Sequence, residues 1–135
     1  MSMGYGGYAN LIQADDTLVM YSYCCYNVNN DGYKRFMQTA DGELYIDRDA
    51  FPEPEIHTKF KRTGKGKKRP VVKRVKKEVP FDDLLQAGKI KVKNASGTWA
   101  VSDFGTDVMA LRLLCRLFDQ YQETGELPES VGSYQ

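Results

Sequence analysis

Two groups of residues in this sequence have types and spacings that do chemistry. The first is cationic: Lys59, Lys61, Arg62, Lys65, Lys67, Lys68, Arg69, Lys73, Arg74, Lys76 and Lys77 fall within 19 consecutive positions that contain no acid. They are 11 of the 19 Lys+Arg, so the rest of the chain holds eight bases against all 18 acids, and the formal net charge of +1 conceals a strong separation of charge. A nucleic-acid backbone is held by cations that approach several phosphates together, each neutralised phosphate of a DNA duplex adding about 0.9 to the salt slope. Six engaged cations would lose affinity on the order of a thousandfold between 50 and 200 mM salt.

Arg62, Arg69 and Arg74 are the only arginines of the stretch. Lysine is a point charge, whereas arginine is the bidentate reader of base edges, so the expected binding is sequence-tolerant. Gly64 and Gly66 allow close backbone approach. The same charge also suits an acidic groove on a protein partner, as in an inhibitor, an immunity-type protein or a complex subunit. It equally describes a solvated loop, an arm neutralised by the domain's own acids, or a short nuclear-localisation pattern.

The second group is Asp47, Asp49, Glu53 and Glu55, followed by His57 and Lys59. If Asp47 and Asp49 share a strand face, two carboxylates with a nearby lysine are what a Mg²⁺-dependent nuclease needs. Alternating acids on a wet face explain the same residues more simply. No GxSxG elbow, P-loop, GxGxxG fingerprint or HExxH is present, and a single histidine limits nucleophile–base pairs to His57. A non-enzymatic protein is expected, with no catalytic residue, metal or cofactor.

Three cysteines, two of them adjacent, do not make a disulfide framework. With no signal-like N-terminus they read as buried thiols in a reducing compartment, the cytoplasm. Cys24, Cys25, Cys115 and His57 are poor zinc ligands as a set, because neighbours on a strand point to opposite faces. No apolar run approaches the roughly 18 residues of a membrane span, so no membrane partner is expected.

The elements that must position these groups are predicted as follows. Residues 1–7 read as a flexible lead, 8–126 as one domain containing the basic arm 59–77, and 127–135 as a tail. Tyr8–Ala14 and Thr17–Asn27 read as strands, the second apolar on both faces and therefore central. Tyr33–Thr39 is too short and mixed to assign, Asp41-Gly42 marks a tight turn, and Glu43–Phe51 reads as a strand stopped by Pro52 and Pro54.

Thr63–Pro70 reads as a mobile loop tip, and Val71–Val79 as an edge strand. Lys59–Arg62 and Lys73–Lys77 would then pair as a basic hairpin. Phe81–Gly88 reads as a short helix. Lys89–Lys93 and Thr98–Val101 read as a hairpin that turns at Asn94–Gly97 and shows Lys89, Lys91 and Lys93 outward. Trp99 lies in that hairpin and is a candidate for stacking on bases, although packing on the last helix competes; Tyr21, Tyr23, Tyr26, Tyr33 and Tyr45 are mostly core.

A final helix is capped by Asp103 or Thr106. It carries the apolar stripe Val108, Leu111, Leu114, Cys115, Leu117, Phe118 and Tyr121, and it stops at Gly125. The expected architecture is α+β: an antiparallel sheet of about five strands, the C-terminal helix on one face, and a projecting basic hairpin or arm.

Overall fold

The structure is a computed structural model describing residues 4–51, 55–62, 68–75 and 77–134. Its strands are β1 (Tyr5–Ala14), β2 (Leu18–Asn27), β3 (Gly42–Asp47), β4 (Glu55–Arg62), β5 (Lys68–Val75), β6 (Ile90–Lys93) and β7 (Ser130–Tyr134). Its helices are α1 (Tyr33–Met37), α2 (Phe81–Gln86) and α3 (Val108–Thr124). Five strands form one antiparallel sheet in the order β6-β3-β2-β1-β7, and β4 with β5 forms a separate two-stranded ribbon. The α+β architecture with a five-stranded sheet and a C-terminal helix is as the sequence predicts.

The central place of β2 follows from its composition. Val19, Tyr21, Tyr23 and Cys25 alternate onto one face and are fully buried, while Cys24 is fully buried on the other. The first face meets α3, whose Met109, Ala110, Leu113, Leu114, Leu117 and Phe118 join Leu44, Ile46, Ile90 and Val131 in the core. The other face is covered near Cys24 by α1: the Tyr8 hydroxyl donates to Met37 O at 2.9 Å. Farther along, that face stays partly open at Met20, Ser22 and Tyr45.

Several boundaries differ from expectation. The strand read over Glu43–Phe51 ends at Asp47, and a 3-10 turn, Arg48–Ala50, instead drives Ala50 and Phe51 into the core. Asp41-Gly42 is less a turn signal than a packing requirement, because a Cβ on Gly42 would overlap the ring of Tyr23, its cross-strand neighbour. The segment Tyr33–Met37, left unassigned from sequence, is the helix α1.

The lead begins its strand at Tyr5, and the supposed tail contributes β7, which pairs with Gly6–Asn10 and buries Val131. Its alternation, Ser-Val-Gly-Ser-Tyr, carries too little apolar signal to announce a strand. The hairpin expected between Lys89–Lys93 and Thr98–Val101 does not form. The alternation of β6 is real, but β3 is its partner, and Val101 makes an isolated bridge to Asp107. The segment between them is occupied elsewhere: the Ala95 amide donates to the Tyr23 hydroxyl at 2.9 Å.

Asp107, rather than Asp103 or Thr106, caps α3 by accepting the Met109 amide at 3.0 Å. The stop at Gly125, φ 78°, is as expected, with its amide donating to Tyr121 O at 2.7 Å. The buried stripe is rotated from the predicted one. Cys115 is exposed, Val108 and Leu111 are half-buried, and Met109, Ala110, Leu113 and Gln122 point inward instead.

Candidate nucleic-acid interface

The cationic stretch is organised by the pairing of β4 with β5. The register sets Glu55 opposite Val75, His57 opposite Lys73, Lys59 opposite Val71, Lys61 opposite Arg69 and Arg62 opposite Lys68. A basic hairpin was expected here, but with Lys59–Arg62 opposite Lys73–Lys77. The observed strands instead pair Lys59–Arg62 with Lys68–Val71, which keeps the connection to five residues. Lys65, Lys67 and Lys76 lie outside the described residues, as do Pro52, Glu53 and Pro54.

The last two turns of α3 anchor the chain on either side of this ribbon. Before it, Phe51 is buried with its ring 4.8 Å from that of Phe118 and 4.9 Å from that of Tyr121. After it, the side-chain amide of Gln122 takes both main-chain groups of Lys77: the Lys77 amide donates to Oε1 at 2.6 Å, and Nε2 donates to the Lys77 carbonyl at 3.0 Å. Phe81 then stacks on Phe118 at 5.2 Å. Gln122 is 1% exposed, and a buried amide is costly unless hydrogen-bonded. A glutamine four residues after Phe118, on an otherwise apolar stripe, is the sequence signal that marks this anchor.

The remaining cationic candidates do not converge. Lys89 is paired with Asp49, Nζ to Oδ2 at 2.5 Å, an ion pair that raises the lysine pKa. Lys91 and Lys93 are exposed on the sheet face away from α3, where the register sets them beside Tyr45 and Glu43. There the Tyr45 hydroxyl is engaged with Glu43 Oε2 at 2.6 Å. Trp99 packs tilted against Tyr5, ring centroids 4.2 Å apart, and is half-buried against the core, its indole nitrogen buried without a hydrogen-bond partner. It is a packing residue, and it does not share a surface with Lys91 and Lys93.

The carboxylates are arranged differently from the nuclease reading. Asp47 ends β3, and Asp49 lies in the 3-10 turn, so the two do not share a strand face, and Asp49 is already paired with Lys89. An open depression of about 840 Å³ borders them and is lined by Asp16, Thr17, Leu18, Asp47, Arg48, Asp49 and Lys91. Among the described residues no three His, Cys, Asp or Glu side chains come together as a metal site requires. No helix of these residues is long and apolar enough to cross a membrane.

A second polar cluster lies in the core. Asp107 is fully buried, and its Oδ2 accepts from the Tyr23 hydroxyl at 2.8 Å and from Cys25 Sγ at 3.1 Å. The Thr98 hydroxyl lies 3.1 Å from the same oxygen and 2.7 Å from Ala95 O. Burial first, and the Asp107 charge second, push the Cys25 thiol and the Tyr23 phenol well above their ordinary values. Both therefore stay protonated as donors, and the cluster ties β2, the 94–98 segment and the start of α3 together. It is closed to substrate and acts as a structural joint. No protein-family model matches the chain, and comparisons with curated proteins and with solved structures find no match.

Proposed function

We propose that this chain is a non-enzymatic accessory protein that holds nucleic-acid backbone through the β4–β5 ribbon in a largely sequence-tolerant way. The observation that carries the reading is the ribbon's register. Lys61 sits opposite Arg69 and Arg62 opposite Lys68, and like charges placed directly across a ladder destabilise it. No acid lies between Lys59 and Lys77 to neutralise them. A polyanion supplies the missing counter-charge. The core anchors at Phe51 and Lys77 support the same reading, since they fasten the chain on both sides of the ribbon to α3. Lys91 and Lys93, on the far face of the sheet, are assigned no part in the primary contact.

The test is fluorescence anisotropy of the full chain with labelled single-stranded and duplex DNA and RNA at 50 and 200 mM salt. Binding that weakens on the order of a thousandfold between the two salts is expected if about six phosphates are neutralised. No binding of any of these at 50 mM salt would reject the proposal, and co-purification with one acidic protein would then put the ribbon in that partner's groove.

A further inference from the structure

Resting on that reading, we infer that the ribbon is two-faced and that one face is built for B-form duplex DNA in preference to a single strand. In an antiparallel pair, directly opposed residues share a face and neighbours along a strand alternate. The register therefore places His57, Lys59, Lys61, Arg69 and Lys73 together on one face, with Glu55, Val71 and Val75. The other face collects Ile56, Thr58, Phe60, Pro70 and Val72 along its length, with Arg62 opposite Lys68 at one end and Arg74 opposite Ile56 near the other. The pairing sorts four of the seven Lys and Arg positions in β4 and β5 onto a continuous basic row and gives the reverse face an apolar middle.

The composition of the basic row chooses among polyanions. Proteins that hold single strands without sequence preference interleave cations with aromatic rings on which bases stack. The basic face contains no Phe, Tyr or Trp, and the ribbon's one such residue, Phe60, falls on the reverse face. What is left is phosphate neutralisation, which favours the denser charge of a duplex, about one per 1.7 Å of axis against one per 3.4 Å for either strand alone.

Shape agrees with charge. Strands of eight residues at about 3.4 Å per residue make a ribbon roughly 27 Å long, and a two-stranded ribbon is one of the elements that the roughly 12 Å major groove of B-DNA admits. The major groove of A-form RNA is too narrow for the same approach. With three lysines to one arginine, the row contacts phosphates along the groove rather than reading base edges.

Two double variants that remove equal charge separate the faces: Lys59→Ser with Lys73→Ser, and Arg62→Ser with Arg74→Ser. Each is titrated against a labelled DNA duplex from 50 to 200 mM salt beside the parent chain, with urea midpoints confirming that both fold. The parent chain is also titrated against a single strand of the same length and an RNA duplex. We expect at least tenfold tighter binding of duplex DNA than of either alternative. We expect the first variant to lower the salt slope by about 1.8, the share of two phosphates, and the second to lower it by less than half as much. Equal losses in the two variants, or a single strand or RNA duplex bound as tightly by the parent, would overturn the inference while leaving backbone binding in place. Failure to bind any nucleic acid at 50 mM salt would reject the underlying reading as well.

Discussion

The side-chain amide of Gln122 stands in for a neighbouring strand: it accepts the Lys77 amide at 2.6 Å and donates to the Lys77 carbonyl at 3.0 Å. It is the polar half of the anchor that joins the basic ribbon to the core, and the rings of Phe51, Phe81 and Phe118 are the apolar half. A buried amide that removes its own hydrogen-bonding deficit by fixing the main chain at Lys77 serves stability and placement together.

Replacing Gln122 by Leu keeps the volume and removes both bonds. Two main-chain groups of Lys77 then lose their partners, for an expected cost of about 2 kcal/mol in urea denaturation. Gln122→Glu keeps the acceptor for the Lys77 amide but sets a charge against the Lys77 carbonyl. The folded state raises the pKa of this new acid above its unfolded value, so its destabilisation is absent at low pH and grows as pH rises through the folded pKa. Equal midpoints for the Glu variant relative to the parent at pH 4 and pH 7 would refute the clamp.

Asp107 is the joint between the sheet and α3. Asp107→Asn presents an amide N–H₂ either to Tyr23 and Cys25, which are donors already, or to the Met109 amide it now caps. The expected loss is about 2 to 4 kcal/mol. Tyr23→Phe removes one of those donors and should cost less, and the pair should be strongly non-additive because the phenyl ring relieves the donor clash. Simple additivity in a double-mutant cycle would count against the network.

The sequence announced the elements better than it announced their partners. β2 was legible because apolar residues occupy both of its faces, and the end of α3 because Gly125 supplies the positive φ that its last turn needs. The short strands were ambiguous for a physical reason. Lys89–Lys93 alternates cleanly, but alternation fixes a face and not a neighbour, and β3 competes successfully with the nearer Thr98–Val101. Cys115 looked like core because a helical stripe read from sequence leaves its angular centre uncertain by about one residue, 100° of rotation. The cations of the ribbon were evident as composition, yet their sorting onto two faces depends on the register, which no local pattern carries.

That rotation of α3 has a chemical readout. Cys24 and Cys25 are buried while Cys115 is exposed. In the native protein a water-soluble thiol reagent should modify one of three cysteines, slowly because the partial desolvation of its sulfur and the Asp119 charge hold the Cys115 thiol above its ordinary value. All three should react in denaturant, and Cys115→Ser should abolish the native reaction. Labelling of Cys24 or Cys25 at the native rate would contradict the placement of β2.

Alkaline pH should unfold this protein early. Burial pushes Cys24 and Cys25 up, raises Tyr21 to about 12, and pushes Tyr23 higher still. The unfolded values are near 8.5 for cysteine and 10 for tyrosine. Groups with raised folded pKa values lend stability that is fully present below the unfolded pKa and is lost as pH rises toward the folded one. The urea midpoint should therefore hold level to about pH 8 and fall beyond it, with each buried group contributing up to about 1.4 kcal/mol per pH unit. Cys25→Ser keeps a donor to Asp107 without an acid of this range, so its loss between pH 8.5 and 10 should be shallower. A parent midpoint unchanged to pH 11 would refute neutral burial.

Trp99 reports on geometry because it is the only tryptophan and its neighbours Thr98 and Ala100 bond the start of α3, whereas the ribbon is anchored at the end. Asp107, whose carboxylate meets the Thr98 hydroxyl, and Gln122 are 15 residues apart on that helix, roughly 22 Å at 1.5 Å per residue. Tryptophan emission should thus stay constant while duplex DNA saturates the ribbon. Trp99→Phe keeps a ring against Tyr5 and removes a buried N–H that has no partner, so it should alter stability by less than about 1 kcal/mol and leave DNA affinity within twofold. Quenching by DNA together with a tenfold loss of affinity in the Phe variant would move the contact surface from the ribbon to the 94–101 segment.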